Sequence, residues 1–246
     1  LEMSWAGKSK ERSLVGPLMD VTAAALFPSL SESGGRVTGL RMPQDEPVWV
    51  MLDKSNMSGL AKQLEFLLRG IGSNQRGLAP SVTIDESNGP VHIVDGSLIG
   101  PSVHIEGPSY IAGEVRHGAY VRSHSWICRG AVVGHATEVK HSLLLPGAKA
   151  PHFNYVGDSI LGCGVNLGAG CKLSNLRNDE RSVIVRGLQG GDVDSGLRKF
   201  GAIIGDDVAI GCNAVTNPGV IIGSESLIWP NLTISGVHAA GSTIKE

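Results

Sequence analysis

Bulky aliphatic residues return at every sixth position along much of this chain. Ile93, Ile99, Ile105 and Ile111 form a first run, and after a shift of phase Val115, Val121, Ile127, Val133, Val139 and Leu145 continue it. A further run reads Leu161, Leu167, Leu173, and another Ile204, Ile210, Thr216, Ile222, Ile228, Ile234. This period matches neither an amphipathic helix, with an apolar face returning every 3.6 residues, nor the two-residue alternation of a half-buried strand. It is the period of a hexapeptide β-helix, in which three hexads complete one triangular coil with the aliphatic side chain pointing inward. Glycine or another small residue commonly follows the aliphatic one, as in "IGPSVH", "VGHATE", "LGCGVN", "IGDDVA" and "IGCNAV", and leaves room for the corner. A mainly β chain follows, with about seven coils between roughly residues 80 and 240.

Residues 1–80 carry no such period and read as a small α/β region, either a structural unit or a cap on the first coil. "NMSGLAKQLEFLLRG" predicts a short helix with Ser58 as N-cap, Leu60, Leu64, Leu67 and Leu68 on one face, and Gly70 at its end. "DEPVWVMLD" predicts a strand before it. The β-helix then occupies residues 81–246, interrupted by a loop over 174–203.

Two features break the hexads. One is "KAPHFNYVGDSILGCGVNLGAGC", residues 149–171, where the interval contracts to five around "PHFNYV" and a histidine, a tyrosine and two asparagines interrupt small apolar residues. The other is the excursion "SNLRNDERSVIVRGLQGGDVDSGLRKFGAI", longer than a connection needs and therefore expected to be functional or disordered. Its "SVIVRG" and "GGDVDSG" predict a small hairpin. It carries Arg177, Arg181, Arg186, Arg198 and Lys199, a basic set that suits either a solvated loop or an anion.

Composition narrows the partners. Twenty-one Lys and Arg against 23 Asp and Glu give a formal charge of −2, which argues against nucleic acid. No apolar run approaches the roughly 18 residues of a membrane span, and no signal peptide is evident, so a cytoplasmic location without membrane association is expected. Cys128, Cys163, Cys171 and Cys212 fall in no zinc-ligand spacing and read as buried free thiols.

The stretch "EVKHSLLLPGAKAPHFNYVGDSILGCGVNLGAGCKLSNLRNDE", followed by "LRKFGAIIGDDVAIG", resembles the acetyltransferase domain of the bifunctional N-acetylglucosamine-1-phosphate uridyltransferase/glucosamine-1-phosphate acetyltransferases. The long excursion ending in "GLRKFGAIIG" is closer to the archaeal-type sugar-1-phosphate nucleotidyltransferases that carry the same domain. The resemblance covers about residues 115 to 235. It implies a left-handed parallel β-helix assembled as a homotrimer, and acetyl transfer from acetyl-CoA to an amino sugar 1-phosphate, glucosamine or galactosamine, in nucleotide-sugar synthesis, with no metal.

By motif position, the resemblance places the catalytic base on His152 of "APHFNYVGD". It places sugar-phosphate contacts on Arg122 of "YVRSH", Lys140 of "EVKHS", Tyr155, Asn166 of "VNLGAG" and Lys199 of "RKFGAIIG". Asn175 of "LSNLR" helps hold the acetyl donor, and Ala169 is the small backbone site near the thioester. The match weakens beyond this point: Cys212 stands where the family has a coenzyme A-contacting serine, Pro230 replaces a small residue, and no basic tail follows "AAGSTIKE". The resemblance also implies no uridylyl transfer by this chain, because residues 1–80 hold no Gly-rich triphosphate loop.

The residue types suit the chemistry. A histidine near its ordinary pKa of about 6.5 can take the proton of a sugar ammonium at neutral pH. A backbone N–H at Gly168 or Ala169 can meet the oxyanion, and Arg122, Lys140 and Lys199 supply cations for a phosphate. His124, His135 and His141 read as surface or interface residues. Three alternatives remain open: another hexapeptide acyltransferase of the lipid A type, a metal enzyme using His135, His141 and His152, and a non-catalytic sugar-phosphate-binding scaffold.

Overall fold

The computed structural model describes residues 21–32, 39–188 and 191–245. A parallel β-helix of the expected hexapeptide type dominates it, built from three eight-stranded sheets that we term faces A, B and C. Consecutive strands step from face to face: Val91–Ile93 lies on A, Leu98–Ile99 on C, His104–Glu106 on B and Ser109–Ile111 on A again. Each strand of these faces therefore pairs in parallel with the strand one coil on, three places along the chain, or five where the hairpin intervenes, as Ile160–Leu161 with Ala202–Ile204. Its inward aliphatic residue stacks on the equivalent residue of the next coil, as Ile93 on Ile111 and Ile111 on Ile127. These columns form one continuous core down the prism. Thr216 is one exception within it, a buried hydroxyl without a partner.

In one place the frame differs from the six-residue reading. Face A takes Leu144 and not Leu145 into the prism, where it pairs with Ile127 and Leu161. The interval contracts to five between Val139 and Leu144 and between Val156 and Leu161, whereas around "PHFNYV" Ala150 and Val156 keep an interval of six. Both contracted intervals cross the corner from face B to face A. There Lys140 and Gly157 run directly into a left-handed residue, His141 or Asp158, while the preceding coil inserts Ser123 between Arg122 and His124.

A second core lies outside face A. Strands on this face carry apolar residues on both sides, as a sheet covered twice requires. Trp126, Leu143, Ile160, Ile203 and Ile221 point outward and pack against Phe27, Trp49, Leu60, Leu64 and Leu68 of the N-terminal region. That region therefore lies along several coils of face A, while Leu78 packs against the prism core. Coil contact also begins before residue 80, through a bridge between Asn74 and His92.

The predicted strand at "DEPVWVMLD" is instead a 3-10 helix, Val48–Leu52. Val48, Trp49, Met51 and Leu52 are all buried, which an alternating strand would not achieve, and Pro47 at its start lacks the N–H a ladder needs. The predicted helix forms as Leu60–Ile71, capped by Gly59 and by Gly72 at φ 68°, not by Ser58 and Gly70. A Cβ at residue 59 would collide with the Asp53 carbonyl, so the tight turn before the helix requires glycine.

The excursion is ordered at its base. Leu176 and Lys199 form an antiparallel bridge, Ile184–Leu188 pairs with Gly191–Asp194 as the expected hairpin, and Val183, Val185 and Phe200 enter the second core. Of the cysteines, Cys128 and Cys171 are buried, Cys163 is half-buried and Cys212 is exposed, contrary to the expectation of four buried thiols. Cys212 stands at an outer corner, where none of the described residues covers it.

Candidate functional site

Three successive coils turn from face B to face A on His124, His141 and Asp158, at φ 62°, 43° and 47°. His and Asp are among the side chains that tolerate this left-handed region. A buried serine follows each one. Ser125, Ser142 and Ser159 donate to the carbonyls of Arg122 (2.6 Å), Lys140 (2.8 Å) and Gly157 (2.8 Å), which fixes the edge.

The Asp158 carboxylate, 1% exposed, is the hub of this B–A edge. His141 Nδ1 lies 2.8 Å from its Oδ1, Asn175 Nδ2 donates to its Oδ2, and Lys140 Nζ stands 3.9 Å away. Burial alone would raise its pKa, yet His141, Lys140 and Asn175 together hold it below the usual carboxylate range. His141, expected at the surface or at an interface, is wholly buried within the chain because its corner lies directly above that of Asp158 and beneath the N-terminal layer. Burial pushes its pKa down against the pull of Asp158.

Tyr155 lies on the strand that ends at Gly157, with its ring folded back over that glycine. A Cβ at residue 157 would stand 2.5 Å from Tyr155 Oη and 2.8 Å from Asn175 Nδ2, so the close approach depends on glycine. Burial, then Glu138 and Asp158, raise the Tyr155 pKa and keep the phenol protonated as a donor. Lys199 arrives from the excursion: its bridge to Leu176 and the Phe200 N–H bond to the Asn175 carbonyl (3.0 Å) set it beside Asn175. The arginines of the excursion are answered locally, Arg177 and Arg181 by Asp179, Arg186 by Asp192 and Arg198 by Glu180. Lys199 has no carboxylate partner among the described residues. Arg122 sits on the same edge but is engaged by Glu138 (2.9 Å) and Glu106 (3.8 Å). A phosphate there would have to compete with two carboxylates.

The remaining candidates lie on another edge, where face C turns into face B. His152, Ala169, Cys212 and Pro230 occupy equivalent positions in four coils; Gly170, Asn213 and Asn231 donate their N–H groups to the carbonyls of His152, Ala169 and Cys212 respectively. His152 is exposed, and its backbone is pinned by Asn154, whose Oδ1 accepts the His152 N–H (3.0 Å) while its Nδ2 donates to the Gly168 carbonyl (2.7 Å). Gly168 donates its own N–H to the Ile210 carbonyl (2.6 Å), so of the two N–H groups named from the sequence it is already engaged. Asn166 is exposed on face C, paired with Lys149. Thus Lys140, Tyr155, Asn175 and Lys199 come together, while His152 and Ala169 stand on a different edge of the same chain. Asn154 and Asp158 complete these two groups without having been singled out from the sequence, and His141 joins Asp158 although the sequence offered it only as a surface or interface residue or a metal ligand. Their available signal was the recurrence of His-Ser, His-Ser and Asp-Ser at coil intervals.

His135, His141 and His152 do not converge, and the described residues contain no group of three or more His, Cys, Asp or Glu that could hold a metal ion. None of the described helices is long and apolar enough to cross a membrane.

Residues 201–236 match the family described as bacterial transferase hexapeptide (six repeats), so the β-helix carries the repeats of that class. The region is also similar to longer curated proteins. The bifunctional sugar-1-phosphate nucleotidylyltransferase/acetyltransferase of Sulfurisphaera tokodaii is 40% identical over 117 residues, 48% of this chain and 29% of that protein. The bifunctional protein GlmU of Methanococcus maripaludis is 44% identical over 116 residues, 47% of this chain and 28% of that protein. The chain spans under a third of the length of these relatives. The acetyltransferase domain of PglB from Neisseria gonorrhoeae, solved with acetyl coenzyme A, aligns over 89% of this chain and 88% of its own at 13% identity. Its TM-score of 0.31 establishes neither the fold nor a ligand here.

Proposed function

We propose that the chain transfers an acetyl group from acetyl-CoA to the amine of an amino sugar 1-phosphate, glucosamine or galactosamine. The reading is supported chiefly by the meeting of Lys140, Tyr155, Asn175 and Lys199 around Asp158, a basic and partly buried edge with a protonated phenol and an amide. In this reading Lys140 and Lys199 bind the phosphate, Tyr155 donates to the sugar, and Asn175 helps hold the donor. The amine attacks the thioester carbon in its unprotonated form, and His152 takes the proton its nitrogen sheds as the C–N bond forms and returns it to the departing sulfur. The Ala169 N–H meets the oxyanion, and collapse of the tetrahedral intermediate breaks the C–S bond and releases the coenzyme A thiol. Cys212 and Pro230 flank the acyl donor on the C–B edge, and Asn166 meets the sugar from face C. A second copy of the chain would bring that edge against the B–A edge, as a trimer does when its three prisms pack side by side.

The test is thiol release from acetyl-CoA with a panel of amino sugar phosphates. Glucosamine 1-phosphate or galactosamine 1-phosphate is expected to support turnover, and His152→Ala should lower kcat by about 10² to 10⁴-fold with little change in sugar-phosphate affinity. Binding of the sugar phosphate without any thiol release would overturn the reading in favour of a non-catalytic scaffold. Near-normal kcat in the variant would remove His152 as the base.

A further inference from the structure

We propose that Asp158 and His141 are positioning residues of the B–A edge: the buried pair holds the Asn175 side chain with its NH2 inward, so that Asn175 meets the ligand through Oδ1, as a hydrogen-bond acceptor. The proposal deepens the proposed function and rests on it for the assignment of Asn175 to the acyl donor, whose amide N–H groups are the partners such an oxygen suits.

The corner itself needs neither side chain. Farther along the same edge the chain turns from face B to face A through Gly219 and Gly236, at φ 83° and 81°. A carboxylate taken out of water is costly unless donors and charges answer it, so Asp158 is more than a turn residue. Its partners divide by direction. Oδ1 faces His141 Nδ1 at 2.8 Å, Oδ2 faces the Asn175 amide, and Lys140 Nζ stands 3.9 Å from Oδ2. Burial opposes ionisation of this carboxyl, but the three partners outweigh it. An ionised carboxylate has no hydrogen to give, so both of its hydrogen-bond partners must donate. That decides a tautomer and an amide orientation together: His141 carries its proton on Nδ1, and Asn175 turns its NH2 toward Asp158.

Asn175 keeps little other freedom. Its carbonyl accepts the Phe200 N–H (3.0 Å), and the Ser174 N–H before it is bound by the Thr216 carbonyl (3.0 Å), which fixes the backbone on both sides. The side chain closes over Gly157, where a Cβ would stand 2.8 Å from Asn175 Nδ2 and 2.5 Å from Tyr155 Oη. What remains is rotation of the amide, and Asp158 sets it. Among the described residues no hydrogen bond engages Asn175 Oδ1, which leaves that oxygen for a ligand. His141 in turn holds Asp158: its ring is wholly buried, and its Nε2 has no partner among the described residues, so a second proton there would be buried and unanswered. The ring therefore stays a neutral Nδ1–H donor. The other charges of this edge, Arg122 with Glu138 (2.9 Å) and Glu106 (3.8 Å), are paired with one another.

The experiment is a double-mutant cycle on thiol release, with KM measured for acetyl-CoA and for glucosamine 1-phosphate in Asp158→Asn, Asn175→Ala, the double variant, His141→Ala and His141→Asn, beside a thermal melt of each. Asp158→Asn is expected to raise KM for acetyl-CoA about three- to tenfold, as Asn175→Ala does, and the double variant to be no worse than either, because one residue acts through the other. KM for glucosamine 1-phosphate should not rise in Asp158→Asn, since Lys140 loses a nearby carboxylate and keeps its charge for the phosphate; an edge that is merely loosened would raise both constants. His141→Asn still offers an N–H in place of Nδ1 and should recover most of what His141→Ala loses. The two His141 variants carry the test if Asp158→Asn does not fold. Additive losses in the cycle would overturn the proposal, as would an unchanged KM for acetyl-CoA in Asp158→Asn or a rise confined to glucosamine 1-phosphate. Should the chain release no thiol, the same variants are read by calorimetric binding of acetyl-CoA. Non-additive weakening there would keep the positioning role and remove the proposed activity, whereas a wild-type chain that does not bind acetyl-CoA would overturn both.

Discussion

His141 illustrates how a side chain acquires its role from register. A single histidine at a coil corner carries no signal, and "EVKHS" alone reads as surface. The β-helix stacks that corner directly over Asp158, so the ring becomes buried with Nδ1 on the carboxylate and Nε2 unpartnered. Burial holds His141, His124 and His238 below the ordinary imidazole pKa. In the unfolded chain these rings titrate near 6.5. As pH falls through that value the unfolded state takes up protons that the folded state does not, so stability falls; the loss stops growing once the pH passes below the depressed folded values. Asp158, held low by its partners, adds a loss of the same sign only at more acidic pH, below its unfolded value near 4. The melting temperature is therefore expected to decline between about pH 7 and pH 5, with a shallower slope in His141→Asn. A flat wild-type profile over that window would refute this assignment. His152 and Tyr155, by contrast, stand out in the sequence itself, because they interrupt a glycine-rich repeat.

At the scale of the element, hexad spacing located the coils because each turn must put one aliphatic residue into the same narrow core. It could not distinguish Leu144 from Leu145, since face A is apolar on both sides and either leucine has a core to enter. The 3-10 helix Val48–Leu52 was misread for a related reason: a short, wholly buried apolar run has no period to reveal its backbone. The strand Tyr155–Gly157 shows an element shaping chemistry. Its last residue has no side chain, and the space above it holds the Tyr155 hydroxyl and the Asn175 amide. Gly157→Ala would displace both, each the end of a side chain and not fixed backbone. Its melting temperature should change little while KM for the amino sugar phosphate rises several-fold. Thiol-release kinetics beside a thermal melt would decide the matter, and an unaltered KM would show that Tyr155 does not contact the acceptor.

Across the whole molecule, the prism separates what the proposed reaction would need to combine. Lys140, Tyr155, Asn175 and Lys199 occupy the B–A edge, and His152 with Ala169 the C–B edge. Nothing in the linear motif order reveals this division, because neighbours in sequence such as His152 and Tyr155 stand on either side of a corner. If the proposed trimer forms, each of its three interfaces sets the B–A edge of one copy against the C–B edge of the next. Light scattering should then give about three times the 25.7 kDa chain mass. A mixing experiment tests the shared site itself. His152→Ala and Lys199→Ala chains, each impaired alone, are unfolded together in equal amounts and refolded. Random assembly restores an intact pair of edges at about one interface in four, so the mixture should recover up to roughly a quarter of wild-type activity. Mixing Lys140→Ala with Lys199→Ala, two lesions on one edge, should recover none. Equal silence in both mixtures would place the whole site within a single chain and would require His152 to act somewhere other than on the acceptor bound at the B–A edge.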